Sequence, residues 1–467
     1  MKYLFVFIFI FLLGMCLMAG DYPMLFPDSA LFGLNIHNPQ KPVKDLGLSW
    51  VRYDVWWQEI DKEHPSFDFE KAKSDIKFYR DQDINVLVVL HLGPLTTYKK
   101  GDSVDKQIGE AEKYAIAAVE ALKDNNILWE VGNEPEGNPL YSDPKEYTKI
   151  AKAYAKIIKS GDKTGKVCVG SVAWVDRPFL TTCLEEGILE DGLVDVLSYH
   201  GYHRKDYQPE TGLEEDIAWM RDMAKKYAPA GKYVSVIDSE RGFGIFEDPY
   251  QPRHWAVWRN FVTCETAQAY WLARHYIETI YNQIEIGIWY KDYNGETAYS
   301  LYSADEGSAL RPMGVVYKNM AHLFTENSVK LKNDKYKYIL SGPNSDKLFY
   351  RALLSKKENN GKGDRLYIAY WNPVEAFEGK ILEKREQIGD DFVDTWRDIK
   401  ESDLVEITPT VKVKNVKDVV AVYSYDLLSE DFEGGFKPCK FKVDGGTLVI
   451  KGVTCTACPA LIIVDFK

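Results

Sequence analysis

Eight short apolar runs, each rich in β-branched and aromatic residues and each followed by a helical pattern, constrain this chain more than any other feature. They are LFGLNIH (31–37), WVRYDVWW (50–57), NVLVVLHLG (85–93), ILWEVGNE (127–134), VCVGSVAW (167–174), VDVLSYHGY (194–202), YVSVIDSE (233–240) and IEIGIWY (284–290). Stretches such as FEKAKSDIKFYRD, EAEKYAIAAVEALKD, YTKIAKAYAKIIKS and LEEDIAWMRDMAKKYA lie between them, with apolar residues at i, i+3, i+4 spacing. A final helix is expected over 311–324. Strand and helix in alternation describe parallel strands joined by crossover helices.

Eight such units predict an α/β fold, a closed (β/α)8 TIM barrel over residues 21–325. The alternative is an open doubly wound sheet. No GxGxxG or Walker loop follows an early strand, so neither arrangement is expected to hold a nucleotide cofactor. From residue 326 the pattern changes to alternating strands with polar turns: KLFYRALL, RLYIAYWN, VVAVYSYD, TLVIKG and ALIIVDF. That predicts a C-terminal antiparallel β-sandwich over 326–467. A chain of 467 residues exceeds one compact core, which agrees with two units. No low-complexity linker separates them, so a tight interface is expected.

The N-terminal MKYLFVFIFIFLLGMCLMAG has a positive Lys2, an apolar stretch from Tyr3 to Leu13 and Leu17-Met18-Ala19 before a plausible cut. It reads as a signal peptide over 1–20, with a secreted or periplasmic protein as the result. The apolar run is short for a spanning helix, so no membrane attachment is expected after cleavage. A lipoprotein cysteine at Cys16 is the lesser alternative, since Met15 fits that motif poorly.

The net charge of −12 excludes a basic stripe of the kind nucleic acid needs, and no nucleic-acid partner is expected. Cys168, Cys183 and Cys264 fall on predicted strands and helices, where they read as small buried hydrophobes. Cys439, Cys455 and Cys458 cluster near the C-terminus. Export makes a disulfide from Cys439 to Cys455 or Cys458 the expectation there. A zinc site would need a fourth ligand that the neighbourhood lacks, so no metal is expected. The sequence assigns no oligomeric state.

In a barrel of this kind the chemistry gathers at the C-terminal ends of the strands. His37 ends the first run, His91 the third, Asn133-Glu134 the fourth, His200 and Tyr202 the sixth, Glu240 the seventh and Trp289-Tyr290 the eighth. Glu134 and Glu240 would therefore face each other across the mouth, as a carboxylate pair that cleaves a glycoside must. The 12 Trp and 30 Tyr suit such a cleft, because aromatic faces stack on the C–H faces of pyranose rings. Either Glu alone could be an exposed loop charge. Glu130, four residues before Glu134, also points inward by alternation and needs a buried partner, for which Arg52 is the candidate.

Trp129-Glu-Val-Gly-Asn-Glu-Pro135 resembles the fourth-strand motif of the clan A glycoside hydrolases, which include families 5 and 39. The resemblance spans the barrel, and DGGTLVIKG…CPALIIV is similar to the C-terminal sandwich of several clan members. It implies that Glu134 is the acid/base, that Asn133 contacts the sugar 2-hydroxyl and that Glu240 is the nucleophile. By the same resemblance Arg52 supports Glu240, His200-Gly-Tyr202 brings the Tyr202 hydroxyl to it, and Trp289 floors the subsite of the scissile sugar. His91 and His37 would add substrate hydrogen bonds. The seventh strand departs from the clan pattern by carrying Asp238-Ser-Glu-Arg241, which makes Asp238 a rival nucleophile.

The reaction implied is retaining double displacement on a β-linked carbohydrate, with no cofactor. It requires a Glu134 carboxyl held above its ordinary pKa and an ionised Glu240. The alternatives are a transglycosidase using the same pair, or a non-catalytic carbohydrate-binding protein, which would not need two opposed carboxylates.

Overall fold

The computed structural model describes residues 23–27, 29–36, 44–56, 67–92, 104–137, 141–202, 209–245, 261–262, 265–292, 299–303, 309–324, 328–330, 336–355, 364–373, 376–377, 380–388, 391–398 and 407–467. The proposed signal peptide, His37, Trp57 and Cys264 lie outside these residues.

Eight parallel strands close into a barrel: β1 (Phe32–Ile36), β2 (Trp50–Val55), β3 (Asn85–Leu90), β4 (Leu128–Val131), β5 (Lys166–Val172), β6 (Val196–His200), β7 (Ser235–Arg241) and β8 (Gly287–Trp289). They follow in sequence order around the ring, and β1 closes it by pairing with both β8 and β2. All eight runs read from the sequence are strands. Seven helices surround them among the described residues: α1 (Glu70–Arg80), α2 (Val104–Leu122), α3 (Pro144–Gly161), α4 (Arg177–Glu185), α5 (Leu213–Tyr227), α6 (Glu265–Tyr281) and α7 (Pro312–Leu323). Local chemistry sets two of their starts. Asp143 accepts from the Lys145 amide, and Asp176 from that of Phe179, each just before a proline that suits the first turn.

Strand alternation divides the core into two layers. Trp50, Leu87, Val89, Leu128, Cys168, Val196, Ile237, Ile286 and Ile288 fill the barrel interior. Their neighbours in sequence, such as Val51, Val88, Trp129, Leu197, Val236 and Trp289, pack outward among the helices.

C-terminal to α7, a six-stranded and a four-stranded antiparallel sheet pack together, and the chain also forms a separate three-stranded sheet. Strand Arg365–Trp371 explains why the two halves form one body. Its Leu366, Ile368 and Tyr370 face the sandwich core. Its Tyr367, Ala369 and Trp371 join the same cluster as the barrel helices. A central strand buried on both faces reads as a continuous apolar run, and RLYIAYW does. Helix α6, wedged between barrel and sheets, is buried almost all round for the same reason. The seam also carries ion pairs and hydrogen bonds: Arg351 Nε to Glu278 Oε1 at 2.8 Å, and the Asn319 amide to the carbonyls of Leu427 and Ser429 at 2.9 and 2.8 Å.

The expected C-terminal disulfide is not present: Cys439, Cys455 and Cys458 are free thiols. Each occupies a different setting. The Cys439 amide bonds the Val422 carbonyl on one sheet, Cys455 exchanges backbone bonds with Ile407, and Cys458 lies in the turn before the last strand. Cys168 and Cys183 are buried, as expected.

Candidate active site

At the C-terminal mouth of the barrel, Arg52 is the hub. Its Nε donates to Glu130 Oε2 at 2.8 Å, its Nη1 to Glu240 Oε2 at 2.6 Å and its Nη2 to Asn133 Oδ1 at 2.5 Å. One planar guanidinium thus ties β2 to β4 and to β7, which a lysine could not do. Burial works against its charge, but Glu130 and Glu240 outweigh burial and hold the guanidinium more firmly protonated than usual. Glu130 is fully buried and also accepts from the Ser198 hydroxyl at 2.7 Å. Its carboxyl is pushed up by burial and more than pulled back by Arg52, so it stays ionised. The structural part expected of Glu130 is the one it takes.

β4 ends at Val131, earlier than its sequence run. Gly132 at φ +82° and Glu134 at φ +43° turn the chain out of the ladder, and a short 3₁₀ turn, Pro135–Gly137, follows. A left-handed φ at a non-glycine residue costs energy and is held by its surroundings; here the Glu134 amide donates to the Ser171 carbonyl at 2.9 Å. The turn presents Glu134 to His200, whose Nδ1 lies 2.9 Å from Glu134 Oε1. Tyr202 donates its hydroxyl to Glu240 Oε1 at 3.0 Å. One oxygen of each Glu and a ring nitrogen of His200 all lie within 4.8 Å of one another. Three such ligands could in principle hold a cation. The Arg52 guanidinium bonded to Glu240 puts a positive charge where that ion would sit, so the set does not suit a metal.

The protonation pattern of the free protein runs opposite to the expectation for Glu134 and Glu240. Burial raises the Glu134 carboxyl, but its hydrogen bond to His200 outweighs burial and leaves it below the ordinary range. Burial raises Glu240, and His200 and Arg52 only partly offset it. Burial lowers His200, yet Glu240 and Glu134 together hold it above its usual value. The physical reason is the Glu134–His200 hydrogen bond, which favours the charged form of both partners.

Two further sequence readings are corrected. Trp289 is fully buried, packed among Phe243, His275 and Tyr276 in the helical layer. Ile288 faces the barrel interior, so alternation turns Trp289 away and leaves Tyr290 on the mouth side. Trp289 has no face to offer a sugar. Asp238 is not a rival to Glu240. Simple alternation from Glu240 would aim it inward, but the ladder slips at this point: Tyr199 pairs with Asp238, and the next residue, His200, pairs with Glu240. Ile237 and Ser239 take the inward places, with Ser239 against Glu130, while Asp238 points to α6, where its Oδ2 lies 3.1 Å from His275 Nε2. Its Oδ1 instead accepts from the Gly201 amide at 2.9 Å, in the turn that carries His200 and Tyr202.

His91 stands at the mouth with Nε2 3.0 Å from Asp54 Oδ1 and its ring under that of Trp56. Glu136 was not singled out in the sequence. It lies two residues beyond Glu134, accepts from the Ala173 amide, and burial lifts its carboxyl to about 7. Only a sequence reading that placed the turn after Val131 could have brought it near the site.

The family profile "Cellulase (glycosyl hydrolase family 5)" matches residues 28–295. No curated protein matches the chain. Among solved structures the chain is similar to a family 39 glycoside hydrolase from Bacteroides cellulosilyticus WH2, at 16% identity and a TM-score of 0.62, covering 96% of this chain and 83% of that one. It is similar to a family 30 subfamily 8 xylanase from Clostridium acetobutylicum, at 12% identity and TM-score 0.58, covering 96% and 98%. It is also similar to a glucosidase from Croceicoccus marinus, at 15% identity and TM-score 0.58, covering 96% and 97%. These likenesses extend across barrel and sheets and establish the shared fold. With a carboxylate pair opposed at the mouth of that fold and the profile matched over more than half its length, the chain belongs to glycosyl hydrolase family 5 and is a glycosidase.

Proposed function

We propose that the protein is an exported, retaining glycosidase that cleaves a β-glycosidic bond in an oligo- or polysaccharide by double displacement. The observation that carries this reading is the closeness of the two carboxylates, one oxygen of each lying within 4.8 Å of the other, which favours the short retaining spacing over the wider inverting one.

Glu240 attacks the anomeric carbon. Arg52 and Tyr202 each bond a different one of its oxygens, which fixes the carboxylate plane and partly offsets the burial that opposes its ionised form. As the C–O bond to the leaving group breaks, Glu134 delivers a proton to the departing oxygen. Substrate that covers the site removes water from the Glu134 carboxylate and raises its proton affinity, so that it carries the proton for this step. The glycosyl ester on Glu240 then removes a negative charge beside Glu134, which lowers its proton affinity and readies it to deprotonate the incoming water. Water adds at the anomeric carbon, the ester bond breaks and Glu240 returns as a carboxylate.

Export rests on residues 1–20 as a signal peptide. No helix among the described residues is long and apolar enough to cross a membrane.

The test is the anomer formed first. Proton NMR during hydrolysis of an aryl β-glycoside, chosen from a panel of glucosides, xylosides and mannosides, should show the β-anomer before mutarotation. An α-anomer formed first overturns the double displacement.

A further inference from the structure

Trp56 is an exposed tryptophan that the barrel holds in place. Its side of β2 is set by the alternation that points Trp50 into the barrel core and Arg52 at Glu240, so Arg52, Asp54 and Trp56 rise in one column toward the mouth. On the neighbouring strand Leu87 and Val89 point inward, and His91 continues their column. The register Val55 to Leu90 brings Trp56 beside His91. Their rings stack at 3.8 Å between centroids with planes 12° apart, and Asp54 pins His91 through its Nε2 at 3.0 Å. Trp56 nonetheless remains 59% exposed.

A large apolar ring left in water costs free energy, and a stable stack beneath it fixes its orientation without covering its other face. A rigid indole with one free face matches the apolar C–H face of a pyranose and has no charge with which to select an ionic group. Four residues along a strand place Trp56 about 13 Å above Arg52, beyond the sugar ring whose anomeric carbon Glu240 reaches.

We infer that Trp56, backed by His91 and Asp54, is the platform of an outer sugar subsite that stacks a neutral pyranose of a chain extending from the scissile bond. This inference rests on the glycosidase reading and adds that the substrate is longer than one sugar on that side of the bond. His91 is then a positioning residue that acts through the indole.

The experiment measures kcat and KM for wild type, Trp56→Ala, Trp56→Phe and His91→Ala on aryl β-glucosides and β-xylosides. The same set is run on β-1,4-linked gluco- and xylo-oligosaccharides of increasing length. Trp56→Ala should raise KM by about tenfold on the longer oligosaccharides, the size of effect an aromatic anchor carries, with a smaller change on the aryl monoglycosides. Trp56→Phe should recover most of that loss, and His91→Ala should reproduce part of the rise in KM on the longer oligosaccharides. Equal losses on the shortest and longest substrates overturn the subsite and leave the glycosidase reading intact. Wild-type protein inert toward the whole panel tells against both. Because Trp56 is exposed, unchanged thermal stability of Trp56→Ala is expected, and a loss of Tm that accounts for the lost activity overturns the platform.

Discussion

Replacing Arg52 by alanine should do two separable things, because its guanidinium bonds a structural and a catalytic carboxylate at once. Glu130 is fully buried and would lose Arg52, its ion-pair partner. Breaking a buried pair by removing one member costs about 3–5 kcal/mol, because the remaining charge is stranded. For a unit of this size that is on the order of 10 °C in Tm. Glu240 would lose one of the three groups that favour its ionised form, His200, Arg52 and Tyr202, so its carboxyl, already held up by burial, would rise further. An ionised Glu240 is the active form, so the acidic limb of the kcat/KM profile should move to higher pH.

The double variant Arg52→Ala/Glu130→Gln separates these effects. The neutral amide can still accept from Ser198, so much of the lost stability should return while activity stays low. Calorimetry and turnover of an aryl glycoside provide both readouts. A double variant no more stable than Arg52→Ala, or an Arg52→Ala protein less than about 1 kcal/mol destabilised, would refute the claim that Glu130 depends on this charge.

Three other outcomes are expected. Gly201→Ala places a methyl against the Asp238 carboxylate and shifts the turn that aims both His200 and Tyr202; turnover should fall about 100-fold, the scale of a 1 Å misplacement, and activity near wild type would contradict this. Burial raises Asp238 to about 7, above its unfolded value near 4, so its contribution to stability is full below pH 4 and is lost as pH rises through 7. Asp238→Asn should therefore flatten the fall of Tm between about pH 4 and 7, and a curve parallel to wild type would count against the assignment. Alkylation of the unreduced, denatured protein should label Cys439, Cys455 and Cys458 in full; protection of Cys439 together with either of the others would restore the disulfide.

The barrel was legible because its strands are buried on both faces and separated by amphipathic helices, so period and length agree with burial. The carboxylate pair was legible for the same reason: counting strands puts Glu134 and Glu240 at facing ends whatever the loops do. What failed was parity within a strand. Counting residues cannot see the ladder slip between Asp238 and Glu240, which turns Asp238 outward, nor tell that the eighth strand turns Ile288 in and Trp289 out. The hairpin Lys380–Ile388 with Asp391–Asp398 went unread because KILEKREQI carries too many charges to show a strand period. The lowered carboxyl of Glu134 was invisible because it depends on a 2.9 Å contact with His200, a residue far away in sequence.

The central claim, that Glu240 is the nucleophile and Glu134 the acid/base, is tested most directly by azide rescue with the product's configuration read by NMR. Glu240→Ala forms no glycosyl ester, so it should be inert toward an aryl β-glycoside until azide enters the vacated space and yields the inverted α-glycosyl azide. Glu134→Ala should still release a good leaving group and accumulate the covalent intermediate, which azide attacks to give the retained β-glycosyl azide. Retained product from Glu240→Ala, or inverted product from Glu134→Ala, would contradict the assignment of the two carboxylates.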